Sequence, residues 1–301
     1  MRRLFLSIIA ILSLALTANG QVLYKISGNG LQKPSYMLGT YHFASSSFVD
    51  SIPGFHQAMN EAQQVCGEIE MDQMNKPEVI LRLQDAMMLP EGTTLTSLLS
   101  EDEMAALNAT MKSLLGADLT NPVVGAQLGK MTPAAVNLQL TSLMYLKRNP
   151  NFNMNDGIDD HVQQLAKKSN KPVLSLETVD EQIFILLKSQ TLERSKELLM
   201  CMVKNQDYML DVSNQIVDAY YALDLKKIGE LMDEKTNDGC DNTEEELGVF
   251  IYNRNAKWMT KMPDIMAAKP TFFAFGAGHL IGEKGLLTLL KQAGYQVEPV
   301  K

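Results

Sequence analysis

The sequence has few cysteines, no excess of positive charge and no second long hydrophobic run after the one at its N-terminus. Its three cysteines form no C-x-x-C pair, which argues against a thiol redox motif and a structural zinc site. The formal net charge of -8 argues against a nucleic-acid partner. No segment after residue 20 approaches the roughly 18 apolar residues of a membrane-spanning helix, so we expect no stable membrane insertion of the mature chain.

The first twenty residues have the pattern of a signal peptide. Arg2 and Arg3 form a positive start, Leu4–Leu16 is an apolar run of 13 residues, and small residues precede Gln21. We therefore expect residues 1–20 to be removed and the protein to be exported, either to the periplasm or as a secreted protein.

Residues 21–301 predict a single α/β domain. Short apolar strand patterns alternate with helical patterns, which favours a central mixed, mainly parallel sheet flanked by helices. Between about residues 76 and 150 the pattern is helical and rich in methionine. We interpret that stretch as a helical insertion that covers the sheet.

Two Gly-x-x-His motifs follow predicted strands near the two ends of the domain. One runs from Gly39 to His42, and the other from Gly276 to His279. Ligands bind outside the carboxyl ends of the strands in open α/β sheets. Each histidine, taken alone, is also explained as a hydrogen-bonding residue of a turn.

Carboxylates occur at the ends of two further predicted strands. A strand predicted over Val65–Asp72 carries Glu68 and Glu70 on one face, since side chains alternate with a period of two. Glu177 ends another predicted strand. A carboxylate in a buried strand needs a partner, so we expect Glu70 to face a positive group.

The carboxyl ends of parallel strands lie along one edge of a sheet, so the sequence predicts a divalent metal site there. Its candidate residues are His42, Glu70, Glu177 and His279. Imidazole and carboxylate ligands suit zinc, manganese or cobalt, and such an ion lowers the pKa of bound water to about 7. A second carboxylate could serve as general base. Because the helical zinc motif H-E-x-x-H is absent, the ligands must come together from distant strands.

The cysteines allow one disulfide in an oxidising compartment. Cys201 and Cys240 lie in helical or loop sequence, and we favour that pair. Cys66 lies in an apparent strand and is predicted to be a small buried apolar residue.

The motifs together resemble the TraB/PrgY/GumN family. The resemblance is carried by YMLGTYH at 36–42, GEIEMD at 67–72, LET at 176–178, NRN at 253–255 and GAGHLIGEKGLL at 276–287. It implies a fold similar to that of Tiki proteases and erythromycin esterases, and active-site roles for His42 and His279. It also implies that Glu70, rather than Glu68, is the essential acid, and that Arg254 steadies a carboxylate or an oxyanion.

The resemblance to Tiki proteins implies a peptidase that depends on manganese or cobalt. We therefore expect an exported metal-dependent hydrolase acting on a peptide or protein, with His42, Glu70 and His279 on the ion. Glu70, Glu177 and Arg254 are the expected catalytic residues. The alternatives are a non-catalytic periplasmic protein that binds a metal ion or haem, and a structural component that retains the motifs.

Overall fold

A mixed sheet lies at the centre of the fold. The computed structural model describes residues 21–237 and 239–301. Within them the sheet has six strands: β1 (Leu23–Gly28), β2 (Ser35–Thr40), β3 (Gln64–Gly67), β4 (Val173–Ser175), β5 (Thr271–Gly276) and β6 (Tyr295–Pro299). Their order is β4-β3-β5-β2-β1-β6, with the first four parallel and β1 antiparallel to both of its neighbours. The predicted α/β class, with a mixed and mainly parallel sheet, is confirmed.

Helices cover the sheet and make up most of the rest of the chain. They are α1 (Phe55–Glu61), α2 (Pro77–Ala86), α3 (Leu95–Leu98), α4 (Glu101–Leu115), α5 (Pro122–Leu128), α6 (Pro133–Arg148), α7 (Ile158–Lys168), α8 (Val179–Ile183), α9 (Leu192–Lys204), α10 (Gln206–Tyr221), α11 (Leu225–Asp233), α12 (Glu244–Leu247), α13 (Asn253–Met259), α14 (Met262–Ala268) and α15 (Leu286–Gln292). Short 3-10 turns occur at Ser46–Ser51, Met71–Asn75 and Ala277–Leu280. Two π-helical segments occur at Phe184–Lys188 and Gly248–Tyr252.

The main core is built on the central strand β5. Phe272, Phe273 and Phe275 are fully buried, so side chains on both faces of this strand are covered. Strands inside a parallel sheet read as continuous apolar runs for this reason. Each such ring contributes roughly 1.5–3 kcal/mol through burial, which fixes the strand that leads into the second Gly-x-x-His motif.

The strand register brings the carboxyl ends of the parallel strands to one edge. Thr40 at the end of β2 pairs with Gly276 at the end of β5. Gly67 at the end of β3 pairs with Ser175 at the end of β4. The residues that follow these four strands therefore share one edge of the sheet.

The strand predicted over Val65–Asp72 is shorter than expected, because β3 ends at Gly67. From Ile69 onward the backbone bonds to Gln163 instead of a strand: the Gln163 amide donates to the carbonyl of Ile69 at 2.8 Å and accepts from the N–H of Met71 at 2.9 Å. The expectation that Glu68 and Glu70 share one face of a strand is wrong for this reason.

The helices between residues 77 and 148 form a second core with α9. Leu107, Val136, Leu140 and Met144 from this region pack with Leu199 of α9. The methionines here fill apolar gaps, a role that suits their flexible side chains. The treatment of this region as an insertion into one domain stays a prediction.

Cys201 and Cys240 form a disulfide, and Cys66 is a buried free thiol in β3, both as expected. In the described part of the chain, no helix has the length and apolarity needed to cross a membrane. The predicted signal peptide, residues 1–20, lies outside the described residues.

Candidate active site

Arg254, on α13, is the centre of a polar cluster at the strand ends. Its Nε and Nη2 atoms donate to the two carboxylate oxygens of Glu177 at 2.8 and 2.9 Å. Nη2 also donates to Oε2 of Glu68 at 2.5 Å, and Nη1 donates to the carbonyl of Phe250 at 3.0 Å. The side chain of Arg254 is only 12% exposed. A bidentate, charge-assisted pair at such a buried position fixes the plane of the guanidinium.

Glu68 follows β3 and connects the guanidinium to β5. Its Oε1 accepts the backbone N–H of Gly276 at 2.9 Å, and its Oε2 accepts the amide of Gln182 at 2.9 Å. Burial raises the pKa of this carboxyl, but the charge of Arg254 and the Gly276 hydrogen bond outweigh it and leave the pKa below its ordinary value. Glu68 is thus an ionised carboxylate at neutral pH.

Glu177, two residues after β4, is almost fully buried and holds Arg254 from the other side. In addition to the guanidinium, its Oε1 accepts the indole N–H of Trp258 at 3.0 Å. Its own N–H donates to the carbonyl of Glu68 at 2.8 Å, which ties the ends of β3 and β4 together. A carboxylate this deeply buried is stable only because these donors satisfy it.

His279, in the 3-10 turn after β5, is 3% exposed and fixed by Asn255. The Asn255 amide nitrogen donates to the carbonyls of His279 and Lys284, at 3.1 and 2.9 Å, so its oxygen must be the atom 2.7 Å from Nδ1 of the ring. Nδ1 therefore carries the proton, and Nε2 has a lone pair. The ring also packs on Trp258, with centroids 4.3 Å apart.

The lone pair of His279 faces the rest of the cluster. Nε2 lies 3.0 Å from Nη1 of Arg254 and 3.9 Å from Oε1 of Glu68. Burial lowers the pKa of this imidazole to about 3, because a second positive charge beside Arg254 would be poorly solvated. With two carboxylates, one guanidinium and a neutral imidazole, the cluster has a formal net charge of -1, which attracts a cation.

His42 lies at the end of the neighbouring strand β2 but outside this buried cluster. Its side chain is 84% exposed, and its Nδ1 is 3.8 Å from Oδ2 of Asp159. Asp159 accepts the hydroxyl of Thr40 at 3.0 Å. Burial, together with the negative charge of Glu68, raises the pKa of Asp159. Asp159, beside His42, is thus close enough to Glu68 for the two negative charges to interact.

Glu70 lies in the turn after β3. Its Oε2 accepts the amide of Gln73 at 2.8 Å. Within the described residues it forms no hydrogen bond or ion pair with Arg254 or His279. Of the residues that the sequence pointed to, the structure thus groups Glu177, Arg254 and His279 with Glu68, places His42 beside Asp159, and leaves Glu70 apart.

Two atoms of the cluster have the donor chemistry of ligands to a divalent metal ion. Nε2 of His279 is a neutral imidazole nitrogen whose other nitrogen is held by a hydrogen-bond acceptor, as in metal-binding histidines generally. Oε1 of Glu68, 3.9 Å away, is an ionised carboxylate oxygen that could share the same ion. Among the described residues, no three His, Cys, Asp or Glu side chains are arranged closely enough to hold an ion. A third protein ligand therefore requires a side chain such as His42 to change its position.

Sequence reasoning missed Asp159 and the supporting roles of Asn255, Trp258 and Gln182. Asp159 lies in the first turn of α7, where an acidic residue is expected for a helix start and gives no separate signal of a site. The Arg-Asn pair at 254–255 did mark Asn255, although not its contact with His279.

Comparison with known proteins identifies the family of the chain. The family model described as TraB/PrgY/gumN family matches residues 22–299. The chain is 23% identical to "Metalloprotease TIKI2" of Danio rerio over 88% of its own length and 58% of the relative. It is 24% identical to "Metalloprotease TIKI homolog" of Nematostella vectensis over 89% of its length and 65% of the relative. It is 23% identical to "Metalloprotease TIKI1" of Homo sapiens over 88% of its length and 59% of the relative. The chain thus spans about three fifths of the length of these curated relatives. No solved structure gives a significant match.

Proposed function

The chain belongs to the TraB/PrgY/gumN family, and from that premise we propose that it is a divalent-metal-dependent hydrolase that cleaves a peptide or protein. The family assignment made from the motifs is confirmed. The similarity to metalloproteases, at 22–24% identity, supports the reaction class.

One observation carries the proposal: the Nε2 lone pair of His279 and the ionised Oε1 of Glu68 lie 3.9 Å apart at the strand ends. A buried imidazole held in one tautomer by Asn255 is costly to retain for packing alone, since an apolar ring would need no such partner. An imidazole nitrogen and a carboxylate oxygen are donors that zinc and manganese both accept.

In this proposal His279, Glu68 and His42 would hold the ion, with manganese, cobalt or zinc as the candidates. We place Glu68 in the role that the sequence analysis gave to Glu70, because Glu68 is the carboxylate that contacts both Arg254 and the second Gly-x-x-His turn. His42 is 84% exposed, with Nδ1 3.8 Å from Oδ2 of Asp159, so its side chain can rotate to bring a ring nitrogen to the ion. When bound, the ion would supply Lewis-acid polarisation of the scissile carbonyl and an activated water.

In the same proposal, Arg254 stabilises the negative charge that develops on the oxygen of the scissile carbonyl. Glu177 and Trp258 do not reach that oxygen in this scheme but position the guanidinium, Glu177 through its two short hydrogen bonds and Trp258 by stacking 5.0 Å from it. The guanidinium is already oriented and shielded from water, so it need not reorganise during the reaction. Such preorganisation is the main source of electrostatic stabilisation of a transition state.

We also propose that the protein works outside the cytoplasm. The disulfide between Cys201 and Cys240 supports this, because such bonds persist in oxidising compartments and are rare in the cytosol.

The test is cleavage of a random peptide library by residues 21–301, read by mass spectrometry with added manganese, cobalt or zinc and with chelator. Cleavage that requires one of these ions, and that is lost in the His279→Ala variant while circular dichroism shows that the variant remains folded, would support the proposal. Cleavage that persists in chelator, or in His279→Ala, would overturn it.

A further inference from the structure

A cavity lies against the turn that carries His279 and the π-helical segment that precedes Arg254. It has a volume of about 410 Å³, within the range of roughly 300–1,000 Å³ typical of pockets that bind small ligands. Its walls come from α11, α12, the π-helical segment Gly248–Tyr252 and the turn after β5. We call it the α11 cavity.

The α11 cavity adjoins the polar cluster along the chain. Gly278, in its wall, is the residue immediately before His279, and Ile251 is three residues before Arg254. A Cβ at Gly278 would lie 2.8 Å from Cε of Met232, the flexible end of that side chain. The end of the Met232 side chain on α11 thus lies against the Gly-x-x-His turn.

One part of the lining of the α11 cavity is apolar. It is formed by Met232, Leu247, Ile251 and Ile281, with the ring of Tyr252 beside them. Met232 is 43% exposed at this surface, a large fraction for a residue of its size and apolarity. An apolar side chain of a ligand would cover this surface and remove it from water.

The rim of the α11 cavity is acidic. Asp233, Glu244 and Glu283 line it, with Lys284 as the one lining cation. Lys284 lies 4.0 Å from Glu244 and over the ring of Tyr252, so it offsets the charge of Glu244. Asp233 and Glu283 form no ion pair within the described residues, and they leave the rim with unbalanced negative charge.

We infer that the α11 cavity is a subsite for the substrate of the proposed hydrolase, and that it takes an aliphatic or thioether side chain next to a lysine or arginine. That the bound peptide is a substrate rests on the proposed function. Binding of such a peptide in the α11 cavity does not depend on it. The apolar wall would bind the aliphatic or thioether side chain. Asp233 and Glu283 would bind the lysine or arginine. The volume holds two adjacent residues of an extended peptide.

The test is binding of fluorescein-labelled Gly-Ser-Leu-Arg-Ser-Gly to residues 21–301 in chelator, measured by fluorescence anisotropy, so that no cleavage occurs. Replacing leucine by serine in the peptide should weaken binding about tenfold or more, from the lost burial of the side chain. Replacing arginine by glutamate should weaken it roughly fivefold or more, and added salt should reduce that difference.

The protein variants separate the two parts of the subsite. Met232→Trp fills the apolar wall and should weaken binding of the Leu-Arg peptide about tenfold. The double variant D233N/E283Q should weaken binding roughly fivefold, whereas E234Q/E245Q, which removes the same charge from neighbouring exposed positions, should leave it within about twofold. Melting temperatures of all variants should match that of wild type, because the altered side chains are exposed.

Equal binding of the Leu-Arg and Leu-Glu peptides, unchanged binding in Met232→Trp, or no binding of the Leu-Arg peptide at about 1 mM would each overturn the subsite. Cleavage is measured separately with added ions. A peptide that binds as described but is never cleaved would contradict the hydrolase and leave the cavity's peptide preference standing. Cleavage without this preference would contradict the subsite alone.

Discussion

Nη1 of Arg254 lies 3.0 Å from Nε2 of His279, the imidazole atom that would bind a metal ion. The guanidinium therefore donates a hydrogen bond to the lone pair that a metal ion would use. Its charge also balances one of the two carboxylates, Glu68 and Glu177. An ion that binds His279 must take this lone pair from Arg254. Arg254 is consequently both a stabiliser of the metal-free site and a competitor of the metal.

Removal of the guanidinium should raise metal affinity while abolishing turnover. In Arg254→Met the carboxylates of Glu68 and Glu177 lose their cation, which should cost about 3–5 kcal/mol of stability without metal. The same unpaired charges attract an ion more strongly. We expect a lower dissociation constant for manganese by calorimetry and an increase in melting temperature on metal addition that exceeds that of wild type. Weaker metal binding than wild type would show that the two cations do not compete.

Glu68 and Glu70 offer a matched pair of substitutions. Glu68→Gln keeps the shape of the side chain but removes the negative charge beside His279 and Arg254, and it should lower metal-dependent turnover by at least about a hundredfold. Glu70→Gln should change turnover by no more than about twofold, since it alters only a contact within one turn. Initial rates on one library-derived peptide decide between them. The opposite pattern would return the essential acid to Glu70.

Asn255 should set the tautomer of His279. In wild type, long-range ¹⁵N NMR correlation at pH 7 should show the Nδ1-protonated form, and the ring should stay neutral well below pH 6 because burial lowers its pKa to about 3. In Asn255→Leu the ring loses its acceptor and two carbonyls lose their donor, which should reduce the free energy of unfolding by about 2–3 kcal/mol. A wild-type ring protonated at Nε2 would contradict the assignment.

Glu246 gives a pH-dependent contribution to stability away from the site. Hydrogen bonds from Arg194, at 2.8 and 3.1 Å, lower the pKa of Glu246 below its ordinary value. The folded state therefore holds this proton less tightly than the unfolded chain. The contribution is complete above the unfolded pKa of about 4.3 and is lost as the pH falls through the folded value.

Replacement of Glu246 by glutamine should thus cost about 1.5–3 kcal/mol at pH 7 and progressively less below about pH 4. Denaturant unfolding of wild type and variant at both pH values measures this, with Glu245→Gln as the exposed control. A difference between wild type and Glu246→Gln that grows on acidification would contradict the assigned sign.

The sequence was sufficient for the α/β class, the family and three members of the buried cluster. The run of phenylalanines before Gly276 identified a buried strand, and the glycine turns marked its exit. His279, Glu177 and Arg254 each follow from a short local motif, which is why they were found.

The remaining members of the site depend on contacts between distant residues. The resemblance of residues 70–72 to the family motif favours Glu70 over Glu68, whereas β3 ends at Gly67 and the backbone that follows bonds to the side chain of Gln163, about a hundred residues away. Asp159 reads as an ordinary helix-start acid until the fold places it beside Thr40 and His42. No local pattern contains these pairings.

The most direct measurement is calorimetric titration of residues 21–301 with manganese, cobalt and zinc, for wild type, His279→Ala, Glu68→Gln and Glu70→Gln. A site formed by His279 and Glu68 predicts one ion per chain in wild type and in Glu70→Gln, no binding in His279→Ala and much weaker binding in Glu68→Gln. Absence of binding for all three ions in wild type, or full binding in His279→Ala, would contradict it.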